Sequence, residues 1–219
     1  MDNGGRLAWN MNLSPHDVLL VTDVQNDFCA GGALEVPDGD AVIPLIHRIA
    51  PLFGHVILTQ DWHSPEHMSF AHAHPGKRAF EDIEVSYGRQ TLWPDHCVQG
   101  TRGAEFHPDL NLPRAELILR KGFHREIDSY SAFFENDRKT ATGLGGYLRE
   151  RDLRRVFVVG LAYDYCVGYS ALDARGHGLE AVVIKDACRA IGLPGSVERI
   201  EHEFSDAGVW VIESAQLVG

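Results

Sequence analysis

Six short apolar runs rich in Val, Ile and Leu recur along the chain: residues 17–24 (DVLLVTDV), 55–59 (HVILT), 116–120 (ELILR), 156–159 (VFVV), 180–185 (EAVVIK) and 209–213 (VWVIE). Runs of this length and composition are the pattern of buried strands. Between them, apolar residues fall at helical spacing. In residues 40–53 these are Val42, Ile43, Leu45, Ile46, Ile49 and Leu52, with Asp40 placed to cap, Pro44 in the first turn and Pro51 near the end. Residues 142–151, 167–175 and 196–207 also read as helices. Strands alternating with helices predict a parallel sheet covered on both faces, a three-layer, doubly wound α/β domain. Residues 1–16 read as an N-terminal arm and residues 17–219 as the single domain. Residues 62–116 hold little periodicity but many His, Trp, Pro and Gly. A connection of that length inside a compact domain is usually functional or carries short elements of its own.

In doubly wound sheets, ligands bind beyond the carboxyl ends of the strands. Four chemically able side chains stand at those ends: Asp23 at the end of the first run, Asp61 just after the second, Lys121 after the third and Cys166 just after the fourth. Cys166 sits where a strand has ended and a helix begins, and free backbone N–H groups there favour a thiolate. Lys121 lowers the thiol pKa further in this reading. Asp23 moves a proton to a leaving group and later takes one from water, and N–H groups of the turn at residues 162–166 bind an oxyanion. The set suits acyl transfer at a carbonyl. The alternative is a structural Asp23–Lys121 ion pair with Cys166 packed beside it, although such pairs are costly to bury.

A second cluster lies in DWHSPEH at residues 61–67, joined by His96 in WPDHC. Asp61 and His63 alternate, so in extended chain both point to one side. One carboxylate with His63, His96 and His67 makes a mixed N/O set suited to zinc, iron or manganese. Solvated loop histidines are the alternative. His72, His74, His107 and His124 have no partner at diagnostic spacing and read as surface residues.

Composition narrows the class. The chain has 219 residues, 44% hydrophobic and 23% charged, as expected of one soluble domain. A net charge of −11 argues against a nucleic-acid surface. No apolar stretch approaches the length of a membrane span, and no secretory leader pattern opens the chain. Four cysteines (Cys29, Cys97, Cys166, Cys188) lie far apart with no CxxC pair, so they read as reduced thiols in a cytoplasmic protein. Cys29, Cys97 and Cys188 read as packing.

Taken together, DVQNDF (residues 23–28), DWH (61–63), WPDHCVQGTRGAEFHP (93–108), KGF…DSYSAF (121–133) and GLAYDYCV (160–167) resemble the pyrazinamidase-type nicotinamidases of the isochorismatase-like cysteine hydrolases. The matches run in order over residues 17–213. The resemblance implies a metal-dependent amidohydrolase that converts nicotinamide to nicotinate and ammonia through a cysteine thioester, a step of NAD salvage. It implies an Asp23–Lys121–Cys166 triad and an oxyanion hole from the N–H groups of Ala162 and Cys166, with a cis peptide before Ala162. It further implies a divalent metal, zinc first, on Asp61, His63 and His96, with His67 as a further ligand. Phe28, Trp93 and Tyr130 match the walls of the pyridine pocket. The sheet is expected to have six strands, the partner is a small molecule, and such proteins are often homo-oligomers. Tyr163 and Tyr165 depart from the residues usual at this turn; their rings either narrow the pocket or pack against the sheet. Two other functions fit the same residues: an amidase acting on a carbamoyl or ureido compound, and a non-catalytic metal- or ligand-sensing module.

Overall fold

The computed structural model describes residues 11–218. Its strands, in chain order, are β1 (Met11–Asn12), β2 (Asp17–Thr22), β3 (His55–Asp61), β4 (Asp82–Val85), β5 (Gly88–Thr91), β6 (Leu117–Lys121), β7 (Arg155–Leu161), β8 (Glu180–Arg189), β9 (Trp210–Ile212) and β10 (Leu217–Val218). The helices are α1 (Val42–Ile49), α2 (Leu144–Glu150), α3 (Gly168–Gly176) and α4 (Ser196–Ala207). Six strands form one parallel sheet in the order β6-β3-β2-β7-β8-β9. The winding reverses between β2 and β7, so the crevice expected of a doubly wound sheet opens where these two strands end.

The sheet is buried on both faces, which is why its central strands read as continuous apolar runs instead of alternating ones. Leu19, Val21, Phe157, Val159, Val182 and Ile184 point to one side and meet α1 through Val42, Ile43, Ile46 and Ile49. Val18, Leu20, Val156, Val158 and Val183 point to the other side and meet Leu144, Leu148, Ala171, Ile200 and Phe204 of α2, α3 and α4. Side chains on successive strand residues therefore feed two cores. Gly160 has φ of 105°, and a Cβ there would collide with the Thr22 carbonyl, so only glycine lets β7 pair closely with β2 at the crevice.

Some local expectations are corrected. The 40–53 helix is shorter, α1 flanked by single 3-10 turns, and Asp40 does not cap it; its carboxylate accepts the Ala30 N–H at 3.1 Å. The helix after β7 begins before residue 167: a π turn, Tyr163–Val167, runs directly into α3, so Cys166 lies inside the first turn. Residues 62–116 do carry a short element of their own, a small antiparallel hairpin of β4 with β5. Of the arm, residues 1–10 lie outside the described residues, while Met11–Asn12 pair in parallel with Leu217–Val218.

Candidate active site

The four side chains at the strand ends meet around one atom. Lys121 ends β6 in register with Asp61, the last residue of β3. Its ammonium lies 2.8 Å from Asp23 Oδ2, 2.9 Å from Asp61 Oδ1 and 3.4 Å from Cys166 Sγ, and it donates to the Ser129 carbonyl at 2.9 Å. Lys121 and Asp23 are both fully buried. Asp23 turns out of β2 with φ of 47°. Thr59 donates its hydroxyl to Asp23 Oδ1 at 2.6 Å, which leaves Oδ2 facing the Lys121 ammonium, the same group that Cys166 Sγ meets.

Charge inside this cluster is unevenly shared. Burial pushes the Asp23 carboxyl up, against the opposing pull of Lys121. Burial acts on Asp61 in the same direction, yet His63 and Lys121 more than reverse it and hold Asp61 well below the usual carboxylate range. Burial disfavours the Lys121 cation, and the two carboxylates more than compensate, so it stays charged. Cys166 corrects an expectation: burial, with Asp23 and Asp61 beside it, pushes its thiol well above the ordinary value despite Lys121. The surroundings thus favour the thiol over the thiolate, and the Asp23 carboxylate meets the same Lys121 ammonium as Cys166.

The other oxygen of Asp61 faces the histidines. Oδ2 lies 3.0 Å from His63 Nε2 and 3.4 Å from His96 Nε2. Each ring is oriented from behind: His63 Nδ1 binds the Gly122 carbonyl at 2.9 Å and His96 Nδ1 the Pro94 carbonyl at 2.8 Å. An Nδ1–H donated to a carbonyl leaves the Nε2 lone pair facing the carboxylate. Acceptors turned toward one another need a proton or a cation between them. All three residues are buried, and their ligand atoms lie within 4.8 Å of each other. The donor set therefore fits a divalent metal, with the carbonyl-anchored imidazoles usual for such ligands. His67 stands apart. Its Nδ1 meets the Ser69 hydroxyl at 2.8 Å and its Nε2 the His124 carbonyl at 3.0 Å, and its grouping is with His63 and Asp128.

Beside both clusters is a recess lined by Phe28, Trp93, His96, Tyr130, Ala162 and Cys166, and also by Asp61, Asp128 and Tyr165. Trp93 Nε1–H donates to the Tyr130 hydroxyl at 3.1 Å, and Gln90 of β5 donates to the same oxygen at 3.1 Å and to Asp128 at 2.7 Å. The hairpin thus reaches the site through Gln90. Ala162 follows a cis peptide from Leu161, and its carbonyl accepts the Tyr165 and Val167 N–H groups. Of the two unusual tyrosines, Tyr163 packs on Phe204 in the second core, whereas Tyr165 faces the recess.

An isochorismatase domain model matches residues 17–216. The chain belongs to the isochorismatase family. A nicotinamidase of Acinetobacter baylyi is 50% identical over 212 residues, covering 97% of this chain and 99% of the relative. Among solved structures, a nicotinamidase/pyrazinamidase of Acinetobacter baumanii superposes with a TM-score of 0.91 at 54% identity, over 92% of this chain and 98% of that one. A protein of L. infantum in complex with nicotinate gives 0.84 at 38% identity, over 95% and 98%. A pyrazinamidase of Pyrococcus horikoshii in complex with zinc gives 0.72 at 33% identity, over 91% and 99%.

Several residues that build the site were given no role from sequence. Gln25 receives the Asp61 N–H at 2.7 Å and donates to the Asp61 carbonyl at 2.8 Å, tying the ends of β2 and β3 together. Asp164 is fully buried in the π turn and accepts the N–H groups of Ile191 and Gly192, each at 2.9 Å, so it fixes the backbone that carries Cys166. Thr59 sits in an ordinary-looking strand, and only its partner reveals it; Asp128 and Asp164 lie inside DSYSAF and GLAYDYCV, but their roles appear only through their partners. Gln25 had one available signal, its place inside DVQNDF.

Proposed function

We propose that this protein hydrolyses nicotinamide to nicotinate and ammonia, with Cys166 as nucleophile, Asp23 as the proton carrier and Lys121 as the fixed cation between them. The observation that carries this reading is the convergence of Asp23, Asp61 and Cys166 on the Lys121 ammonium, at the sheet's switch point and beside the Asp61–His63–His96 set. The nicotinamidase relatives and the nicotinate complex of the L. infantum protein support the substrate.

The Cys166 thiol gives its proton to Asp23 Oδ2 as sulfur bonds to the carboxamide carbon. The carbonyl oxygen takes the negative charge, and the N–H groups of Ala162 and Cys166 stabilise it. Asp23 then protonates the amide nitrogen, the C–N bond breaks and ammonia leaves, giving a nicotinoyl thioester. Asp23, again a carboxylate, takes a proton from water as the water oxygen attacks the thioester; the C–S bond then breaks, Asp23 returns the proton to the departing sulfur, and the acid formed leaves as nicotinate, giving up its own proton to solvent. Lys121 keeps the carboxylates in place and stays protonated throughout. Asp61, His63 and His96 would hold a divalent metal, zinc by comparison with the Pyrococcus horikoshii complex. When bound, it supplies a Lewis-acid position for the pyridine nitrogen and so orients the ring. Phe28, Trp93 and Tyr130 flank the ring. The four free thiols support a reducing, cytoplasmic setting.

The test is ammonia and nicotinate release by purified, metal-loaded protein, with carbamoyl and ureido compounds alongside. Nicotinamide should be the best substrate by at least about a hundredfold in kcat/KM, near 3 kcal/mol of transition-state preference. A carbamoyl or ureido compound turned over faster than nicotinamide would overturn the reading.

A further inference from the structure

The recess beside Cys166 encloses only about 20 Å³, room for one water and not for an aromatic amide. Next to it lies a much larger cavity of about 530 Å³, open to solvent and lined by Phe80, Arg89, Tyr169 and Arg199. Two side chains belong to both walls, Tyr130 and Tyr165. They differ in how they are held. The Tyr130 hydroxyl is fixed by the donors of Trp93 and Gln90. Among the described residues, the Tyr165 hydroxyl has no hydrogen-bond partner. Its ring is buried in apolar packing and lies edge-on to two neighbours, 4.9 Å from Trp93 at 86° and 5.4 Å from Tyr130 at 75°. Apolar packing without a polar latch therefore holds the ring in this position.

We propose that Tyr165 is the gate between the outer cavity and the catalytic recess, and that its ring sets the size limit on the amides this protein accepts. The outer cavity is the entrance, and it has the volume to receive the ring when it turns away from Trp93. With the ring turned, an aromatic amide passes from the outer cavity toward Cys166. With the ring returned, substituents on that side of the substrate are excluded. Tyr165 directly precedes Cys166 in the π turn, so the gate stands on the same backbone as the nucleophile. The size limit on amides rests on the amidase reading above; the gate itself is a property of access to Cys166 and is tested without turnover.

The first experiment is the rate of Cys166 alkylation by N-phenylmaleimide, compared with iodoacetamide and located by peptide mass, in the wild type, Tyr165→Ala, Tyr165→Leu and Tyr165→Phe. The expected result is at least a tenfold acceleration for the bulky reagent in Tyr165→Ala and Tyr165→Leu, with Tyr165→Phe like the wild type, because the hydroxyl is not the latch. Tyr165→Leu keeps an apolar filler against Trp93 should the alanine variant fold poorly. An unchanged rate in folded Tyr165→Leu overturns the gate, whatever the substrate. The second experiment measures kcat/KM for nicotinamide and for nicotinamides bearing a phenyl group at each free ring carbon in turn. At least one phenyl compound should gain tenfold relative to nicotinamide when the Tyr165 ring is removed. A ratio equal to that of the wild type for every member overturns the size limit. Absence of nicotinamide turnover in the wild type would contradict the amidase reading and leave the alkylation result standing on its own.

Discussion

Lys121 and Asp61 face each other across neighbouring strands, and the 2.9 Å contact between them joins two clusters that would otherwise be separate. One carboxylate oxygen holds the cation beside Cys166, and the other faces His63 and His96. Nucleophile and metal set are therefore coupled through a single side chain. Asp61→Asn should weaken metal binding at least tenfold to a hundredfold, the range seen even for outer-sphere partners. It should also leave turnover impaired when metal is in excess, because the asparagine no longer balances Lys121. Metal titration paired with activity at saturating metal separates the two effects. Full recovery of turnover at high metal would show that Asp61 serves the metal alone.

Gly122 follows Lys121 with φ of +68°, and a Cβ there would sit 2.6 Å from His63 Cε1. Gly122→Ala should cost about 1–2 kcal/mol through backbone strain and displace the His63 ring. Metal affinity should fall with stability. Urea unfolding and metal titration on the same variant check both, and unaltered metal affinity would mean that the ring has room to yield.

The thiol of Cys166 is held well above its ordinary value of 9.0 by burial and two neighbouring carboxylates. Only a small thiolate fraction exists near neutrality, and it grows with pH. Alkylation of Cys166 by iodoacetamide should thus rise about tenfold per pH unit from pH 7 to 9. A plateau in the neutral range would instead show a preformed thiolate, as the position at a helix start suggests from sequence.

That contrast marks what could be read from residues alone. The order of the β-branched runs and the acid, amine and thiol at their ends placed Asp23, Asp61, Lys121 and Cys166 on one rim, because a parallel sheet leaves little freedom there. The balance of charge was out of reach, since it depends on how deeply Cys166 is buried and on Asp61 turning toward Lys121. The β4–β5 hairpin escaped notice for a similar reason. Asp82–Val85 and Gly88–Thr91 are short and polar, and Ser86 and Tyr87 between them are not the Asn-Gly type of turn that announces a hairpin. Yet Gln90 from that hairpin fixes Asp128 and Tyr130.

His67 is shifted from its ordinary value of 6.5 to about 4, first by burial and then by the charge of His63. The unfolded chain takes up the proton near pH 6.5 and the folded chain only near pH 4. Between these values the unfolded state binds more protons, so stability falls as pH drops through that window and levels off below it. In metal-free protein the loss should be on the order of 3 kcal/mol at most. His67→Gln should flatten it, as read from urea midpoints at pH 7 and 4.5. An equal drop in variant and wild type would assign the acid sensitivity to other groups.

The covalent role of Cys166 is the centre of the account, and the most direct measurement is nicotinamide turnover by Cys166→Ala with its thermal unfolding recorded alongside. The side chain is buried but small, so the fold should survive with a melting temperature within a few degrees of the wild type. Turnover should fall by about 10⁴-fold or more, as loss of a nucleophile does elsewhere. A folded Cys166→Ala protein that retains turnover within tenfold of the wild type would contradict the thioester mechanism.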